Sequence, residues 1–173
     1  MWGAEPMPIK AVAIDVDGVL TDGTVWLDET GRESKRVSFA DIMGVSMGRR
    51  AGLHFAFVSG ESGPSLDQVA AKFGVLDVYR GCKDKAAALR EFASRHNVGL
   101  DEVCFIGDDV NDLPAFELCG LSVAPADAQP AALAKASLVT TRPGGRGSVR
   151  EVIDALLEGF SPASIAAKRA PRS

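Results

Sequence analysis

The sequence predicts an α/β fold, a doubly wound and mostly parallel sheet that carries one short β-hairpin. Three observations predict it. Short apolar runs alternate with longer segments patterned as helices, as in strands joined by right-handed crossovers. Polar and acidic residues follow those runs, where such sheets bind ligands beyond the carboxyl ends of their strands. One segment, Thr24 to Phe39, breaks the alternation and reads as a hairpin with a longer loop.

Ala11-Val12-Ala13-Ile14 is a short apolar run that ends in acidic residues, as a buried parallel strand would. In the hairpin, Thr24 to Leu27 and Ser34 to Phe39 flank the turn residues Asp28-Glu29-Thr30-Gly31. Asp41 is expected to cap a helix that runs to about Arg50 and stops at Gly52. His54 to Val58 is a second buried strand, followed by Ser59-Gly60 and a helix to about Phe73. Leu76 to Tyr79 reads as a strand, Lys83 to His96 as a helix, and Val103 to Ile106 as another strand. Gly107-Asp108-Asp109 then leads into a helix over Asp112 to Leu118. Leu121-Ser122-Val123, Ser137-Leu138-Val139 and a helix from Val149 to about Leu157 complete the pattern. No internal repeat or linker divides the chain, so residues 1–160 are expected to form one domain. Residues 161–173, rich in Ala, Lys, Arg, Ser and Pro, are expected to fray.

Composition narrows the function. The chain has 173 residues, 46% hydrophobic and 24% charged, enough for one real core. A formal net charge of -4 argues against a broad basic face for nucleic acid. An anionic ligand would need a local positive site. Cys82, Cys104 and Cys119 have no metal-ligand spacing and read as buried free thiols, which suits a reducing cytoplasm. Met1 to Lys10 has no basic stretch followed by an apolar run, so no secretory signal is expected. No apolar run is long enough to span a membrane.

Asp15-Val16-Asp17-Gly18 places two carboxylates two residues apart just past a strand, on one side of the chain if the backbone stays extended. Such a pair repels unless a cation or a shared proton intervenes. A calcium loop of the EF-hand type fails, because Leu20 stands where its sixth-position glycine is needed. Asp108, Asp109 and Asp112 follow another strand, and across the sheet top they could complete an oxygen site for Mg²⁺. Lys85 opens a helix, where the dipole disfavours a cation and suggests an anionic partner; Lys83 is its rival. Ser59 can offer a hydroxyl and a main-chain N–H to phosphate. Together these form a phosphoryl-transfer set. Asp15 is the nucleophile and Asp17 the acid/base, with Mg²⁺ and Lys85 offsetting charge and Ser59 orienting the phosphoryl oxygens.

These residues resemble the motifs of the haloacid dehalogenase superfamily phosphatases: Asp15-Val-Asp-Gly-Val-Leu-Thr21, Ser59, Lys85 and Gly107-Asp108-Asp109-x-x-Asp112. The resemblance implies Mg²⁺ held by Asp15, Asp108 and the main-chain carbonyl of Asp17, with Asp109 and Asp112 supporting. From about Ile9 to Phe160 the chain is also similar to 3-deoxy-D-manno-octulosonate 8-phosphate phosphatases, through the hairpin, Gly81 to Lys85, Gly120 to Pro130 and Gly144-Gly145-Arg146-Gly147. Those enzymes lack a separate cap domain, and the segment between the first two motifs here is too short for one. The family forms homotetramers in which one subunit's hairpin covers a neighbour's site, implying that role for Thr24 to Val37 and an interface for Trp26.

The implied substrate is a small phosphorylated sugar acid, with the octulosonate 8-phosphate first. Glu61 departs from the Arg usual after Ser59-Gly60 in that family. With Lys72 it is similar to phosphatases of 2-keto-3-deoxy-nononate or N-acylneuraminate 9-phosphates. By that resemblance Gly60 and Glu61 meet the sugar hydroxyls, and Lys72 pairs with the substrate carboxylate. Arg146 is the octulosonate-type alternative for that carboxylate, from its own or an adjacent subunit. Two readings of another class remain at this point, a phospho-aspartate receiver and a non-catalytic regulatory module. Receivers have no acid/base at the Asp17 spacing and no need of the hairpin.

Overall fold

Six parallel strands form the central sheet of the computed structural model, which describes residues 8–159. They are β1 (Ala11–Ile14), β4 (His54–Val58), β5 (Asp77–Tyr79), β6 (Val103–Ile106), β7 (Leu121–Ala124) and β8 (Leu138–Val139), in the order β5-β4-β1-β6-β7-β8. Between β1 and β4, β2 (Trp26–Leu27) and β3 (Glu33–Ser34) pair antiparallel as the hairpin. The chain leaves β1 toward β4 and β5, then crosses to β6 on the other side. The carboxyl ends of β1 and β6 therefore flank a topological switch point, where α/β sheets hold ligands.

Alternation along the strands supplies both faces with apolar side chains. Val12 and Ile14 join Phe55, Phe57, Cys104 and Ile106 in one core. That core is covered by α1 (Phe39–Arg50), α2 (Pro64–Phe73) and α6 (Ser148–Leu157). Ala11, Ala13 and Ala56 face the other side, where small side chains admit Leu89 and Phe92 of α3 (Lys85–Arg95). Two short helices, α4 (Leu113–Leu118) and α5 (Pro130–Lys135), complete that layer. On α1, Gly48 lets the helix approach the sheet and α6; a Cβ there would lie 2.7 Å from the Phe55 ring.

The predicted architecture holds, with local differences. The second hairpin strand, predicted over Ser34 to Phe39, is confined to Glu33–Ser34, because Ser38 caps α1 and Phe39 opens it. Asp41 is not the cap of α1: Ser38 is, accepting from the Ala40 N–H at 3.1 Å. Asp41 is fully buried one turn in, and its carboxylate accepts from Gly147 N–H (3.2 Å) and Arg150 N–H (2.8 Å). It satisfies the orphan donors of α6, a long-range partner that no local pattern reveals. Asp84 caps α3, so the helix opens on Lys85 as expected of that residue, two positions after the Lys83 bound read from the pattern. Helix α5 was not anticipated, because six residues opening with Pro130 carry too little periodicity. The expectation for residues 161–173 lies outside the described residues. No helix among the described residues is long and apolar enough to cross a membrane.

Candidate active site

Beyond the β1 and β6 ends lies a cleft of about 350 Å³, lined by Asp15, Asp17, Gly18, Asp22, Gly23, Gly60, Glu61, Asp108, Asp109, Asn111, Asp127 and Gln129. Seven of those residues are acidic. Such a lining repels an anionic ester unless cations balance it.

Asp15 follows β1 directly and is 6% exposed. Its backbone and that of Asp17 are extended, with φ/ψ of -67°/149° and -75°/123°, so the pair does share the cleft. Gly18 follows at φ +87°, and a Cβ there would run into the Asp108 carboxylate. The glycine lets the first acidic loop lie against the second. Gly144 and Gly145 in turn pack on the backbone of residues 18–22, and Gly144 N–H donates to Asp127 at 2.8 Å.

Lys85 is the hub beneath the cleft. Its side chain is 1% exposed, and its Nζ lies 3.1 Å from Asp15 Oδ1 and 2.6 Å from Asp112 Oδ1. Burial pulls the ammonium down, but the two carboxylates outweigh it and hold Lys85 above its ordinary value. Lys83 is exposed. Asp112, wholly buried, also accepts from the N–H groups of Asp108 (2.8 Å) and Asp109 (3.2 Å), fixing the second acidic loop.

The Asp15 carboxyl is pushed well up, first by burial, then by the charge of Asp112, against the pull of Lys85. Asp108 is raised to about 6, mainly by burial, with Asp112 and Asp109 adding to it. Carboxylate oxygens of Asp15, Asp108 and Asp112 lie within 4.8 Å of one another. Asp112 is committed to Lys85 and two N–H groups, and Lys85, shared between Asp112 and Asp15, supplies one positive charge against three carboxylates. Hard oxygen donors held this close fit a divalent cation.

Ser59 is 1% exposed and corrects part of the expectation. Its N–H donates to the Tyr79 carbonyl at 2.8 Å and is not free for phosphate. Its Oγ accepts from Glu61 N–H at 3.0 Å, so its hydroxyl proton remains to donate. Gly60 and Glu61 line the cleft; Lys72 and Arg146 do not. Lys72 lies over the Phe39 ring, 5.2 Å from its centroid, and Arg146 is exposed in the turn after Pro143. Sequence reasoning missed Lys35, whose Nζ lies 2.7 Å from Asp17 Oδ1, and also Asp22 and Asp127. The strand-end rule could have found Asp127, three residues past β7.

Comparisons with known proteins agree with this geometry. Residues 63–153 match the family model of haloacid dehalogenase-like hydrolases. A 3-deoxy-D-manno-octulosonate 8-phosphate phosphatase of Salmonella typhi is 35% identical over 149 residues, covering 86% of this chain and 79% of that protein. The cobalt-bound structure of the corresponding phosphatase from Haemophilus influenzae superposes with a TM-score of 0.84 at 36% identity, covering 88% of this chain and 89% of the other. The Moraxella catarrhalis enzyme, solved with a magnesium ion, a phosphate ion and a KDO molecule, gives 0.84 at 31% identity, covering 93% and 94%. The receiver and regulatory-module readings are set aside. The chain belongs to the haloacid dehalogenase-like hydrolases and is a phosphatase of that family.

Proposed function

We propose that the chain hydrolyses a phosphorylated 3-deoxy-ulosonic acid, 3-deoxy-D-manno-octulosonate 8-phosphate first, through an aspartyl phosphate on Asp15. The observation that carries this is the buried Asp15 carboxylate, held between Lys85 and Asp108 at the switch point of the sheet. Asp15, Asp108 and the main-chain carbonyl of Asp17 would hold Mg²⁺, with Asp109 and Asp112 in support. Bound there, the cation offsets the charge of the phosphoryl oxygens.

Asp15 attacks phosphorus in line, forming a new P–O bond as the bond to the sugar oxygen breaks. Asp17 gives its proton to that departing oxygen. Deprotonated, it then takes a proton from a water that attacks the acyl phosphate, releasing inorganic phosphate and restoring the Asp15 carboxylate. Lys85 balances Asp15 and Asp112 throughout, and the Ser59 hydroxyl donates to a phosphoryl oxygen.

Glu61 is the sugar-reading residue within the cleft, accepting from substrate hydroxyls. Lys72 and Arg146 stand outside the cleft of one chain; either would pair with the substrate carboxylate, Arg146 from its own or an adjacent subunit of a homotetramer. Exposed Val25, Trp26 and Leu27 on the hairpin, with Trp26 76% exposed, suit a strand pair that covers a neighbour's site. In this reading residues 1–160 work as one cytoplasmic domain.

Glu61 also supports a second substrate, the nine-carbon nononate or neuraminate 9-phosphates. Phosphate release from octulosonate 8-phosphate, nononate 9-phosphate and N-acetylneuraminate 9-phosphate, each with Mg²⁺, decides between them. The highest kcat/KM is expected for the octulosonate ester. Equal losses for Glu61→Ala on all three and on a simple aryl phosphate would remove its sugar-reading role.

A further inference from the structure

Lys35 places a buried ammonium against the side chain of Asp17. It follows β3 at the root of the hairpin, between the exposed residues Ser34 and Arg36, yet its own side chain is only 2% exposed. A buried ammonium is costly unless paired, and an apolar side chain would fill the same space without that penalty. Its Nζ makes one side-chain hydrogen bond among the described residues, to Asp17 Oδ1 at 2.7 Å across 18 positions of sequence.

The arrangement divides the two oxygens of Asp17. Oδ1 is held by Lys35, while Oδ2 has no hydrogen-bond partner among the described residues and belongs to a carboxylate 33% exposed at the cleft. Gly18, directly after it, supplies no side chain to restrain the loop. The hairpin is also short: its strands have two residues each, and so small a ribbon has little stability of its own. Its root is fastened to the Asp15–Asp22 loop by two ion pairs, Lys35 with Asp17 and Arg36 with Asp22 (3.0 Å).

We propose that Lys35 is a positioning residue of the hydrolysis: it holds one oxygen of Asp17 so that the other faces the leaving group, and so makes the seating of the hairpin a condition for proton donation. The inference rests on the acid/base reading of Asp17 given above. Lys35 then acts through Asp17 and touches neither phosphorus nor the sugar.

Leaving-group dependence tests it. An alkoxide departing from a sugar phosphate needs the proton, whereas a nitrophenolate departing from p-nitrophenyl phosphate hardly does. In Lys35→Met and Lys35→Gln, kcat for octulosonate 8-phosphate should fall about thirtyfold or more, and kcat for p-nitrophenyl phosphate less than about threefold. KM should stay within about twofold for both. The sugar-phosphate loss in Asp17→Asn should not deepen when Lys35→Met is added. Equal losses in kcat on the two esters would overturn the proposal, because a merely structural lysine affects both alike. A KM rise on both with kcat unchanged would overturn it too, by making Lys35 a phosphate ligand. Turnover surviving in the Asp15→Asn control would overturn the phosphatase chemistry and this role with it, a pattern separate from either.

Discussion

Removing the buried ammonium at the hub of the site should destabilise the fold by several kcal/mol. Lys85→Met leaves the buried carboxylates of Asp15 and Asp112 without the cation now 3.1 and 2.6 Å away. Breaking a buried pair by deleting one partner costs about 3–5 kcal/mol, since the remaining charge is stranded. For a domain of this size that corresponds to about 6–20 °C in Tm. Asp112→Asn in the same background should restore most of the loss, because the asparagine keeps an oxygen for the N–H groups of Asp108 and Asp109 while removing one stranded charge. The assay is urea denaturation in EDTA on wild type, both single variants and the double variant, read as a double-mutant cycle. Asp15, already pushed up by burial, can take a proton when the cation is gone, so the Lys85→Met deficit should shrink at pH 5 relative to pH 8. A deficit under about 1 kcal/mol, or a double variant equal to the sum of the singles, would refute the reasoning.

Three further outcomes follow from the same geometry. Asp15 and Asp108 hold protons more tightly folded than unfolded, so without metal their contribution is fully present below the ordinary carboxylate range and lost as pH rises through the raised values, about 6 for Asp108. Differential scanning fluorimetry should therefore show a larger Tm gain from Mg²⁺ at pH 8 than at pH 5; equal gains would contradict a site on this pair. Gly18→Ala should lose about 1–2 kcal/mol from its positive φ and, by displacing Asp108, raise the Mg²⁺ concentration for half-maximal phosphate release about tenfold or more. An unchanged metal requirement would argue against Asp108 as a ligand. At the other end of the sheet His54 stacks on His96 at 4.2 Å, and burial followed by the charge of His96 lowers its proton affinity. Its unfolded form takes up a proton first, so the contribution of neutral His54 should fade as pH drops below about 6.5, and the urea midpoints of wild type and His54→Gln should converge there.

The parallel sheet and the residues at its strand ends were legible because each is local. An apolar run followed by a polar residue identifies β1 with Asp15, β4 with Ser59 and β6 with Asp108 without tertiary information. What was illegible depends on distance in sequence. Asp41 looked like a cap but serves α6, more than a hundred residues away. Nothing local marks Lys35, and only the folded chain brings it to Asp17, 18 positions away. The Ser59 N–H looked available until β5 claimed it through Tyr79. Lys72 and Arg146 were singled out by resemblance, and in one chain neither lines the cleft.

The central claim is covalent catalysis by Asp15. Mixing enzyme, Mg²⁺ and octulosonate 8-phosphate, quenching in acid within milliseconds, and mapping the peptides by mass spectrometry tests it most directly. A phosphoryl group on the peptide containing Asp15, formed and lost at rates consistent with turnover and absent in Asp15→Asn, is the predicted result. Steady phosphate release with no adduct at any quench time, or undiminished release by Asp15→Asn, would contradict the account.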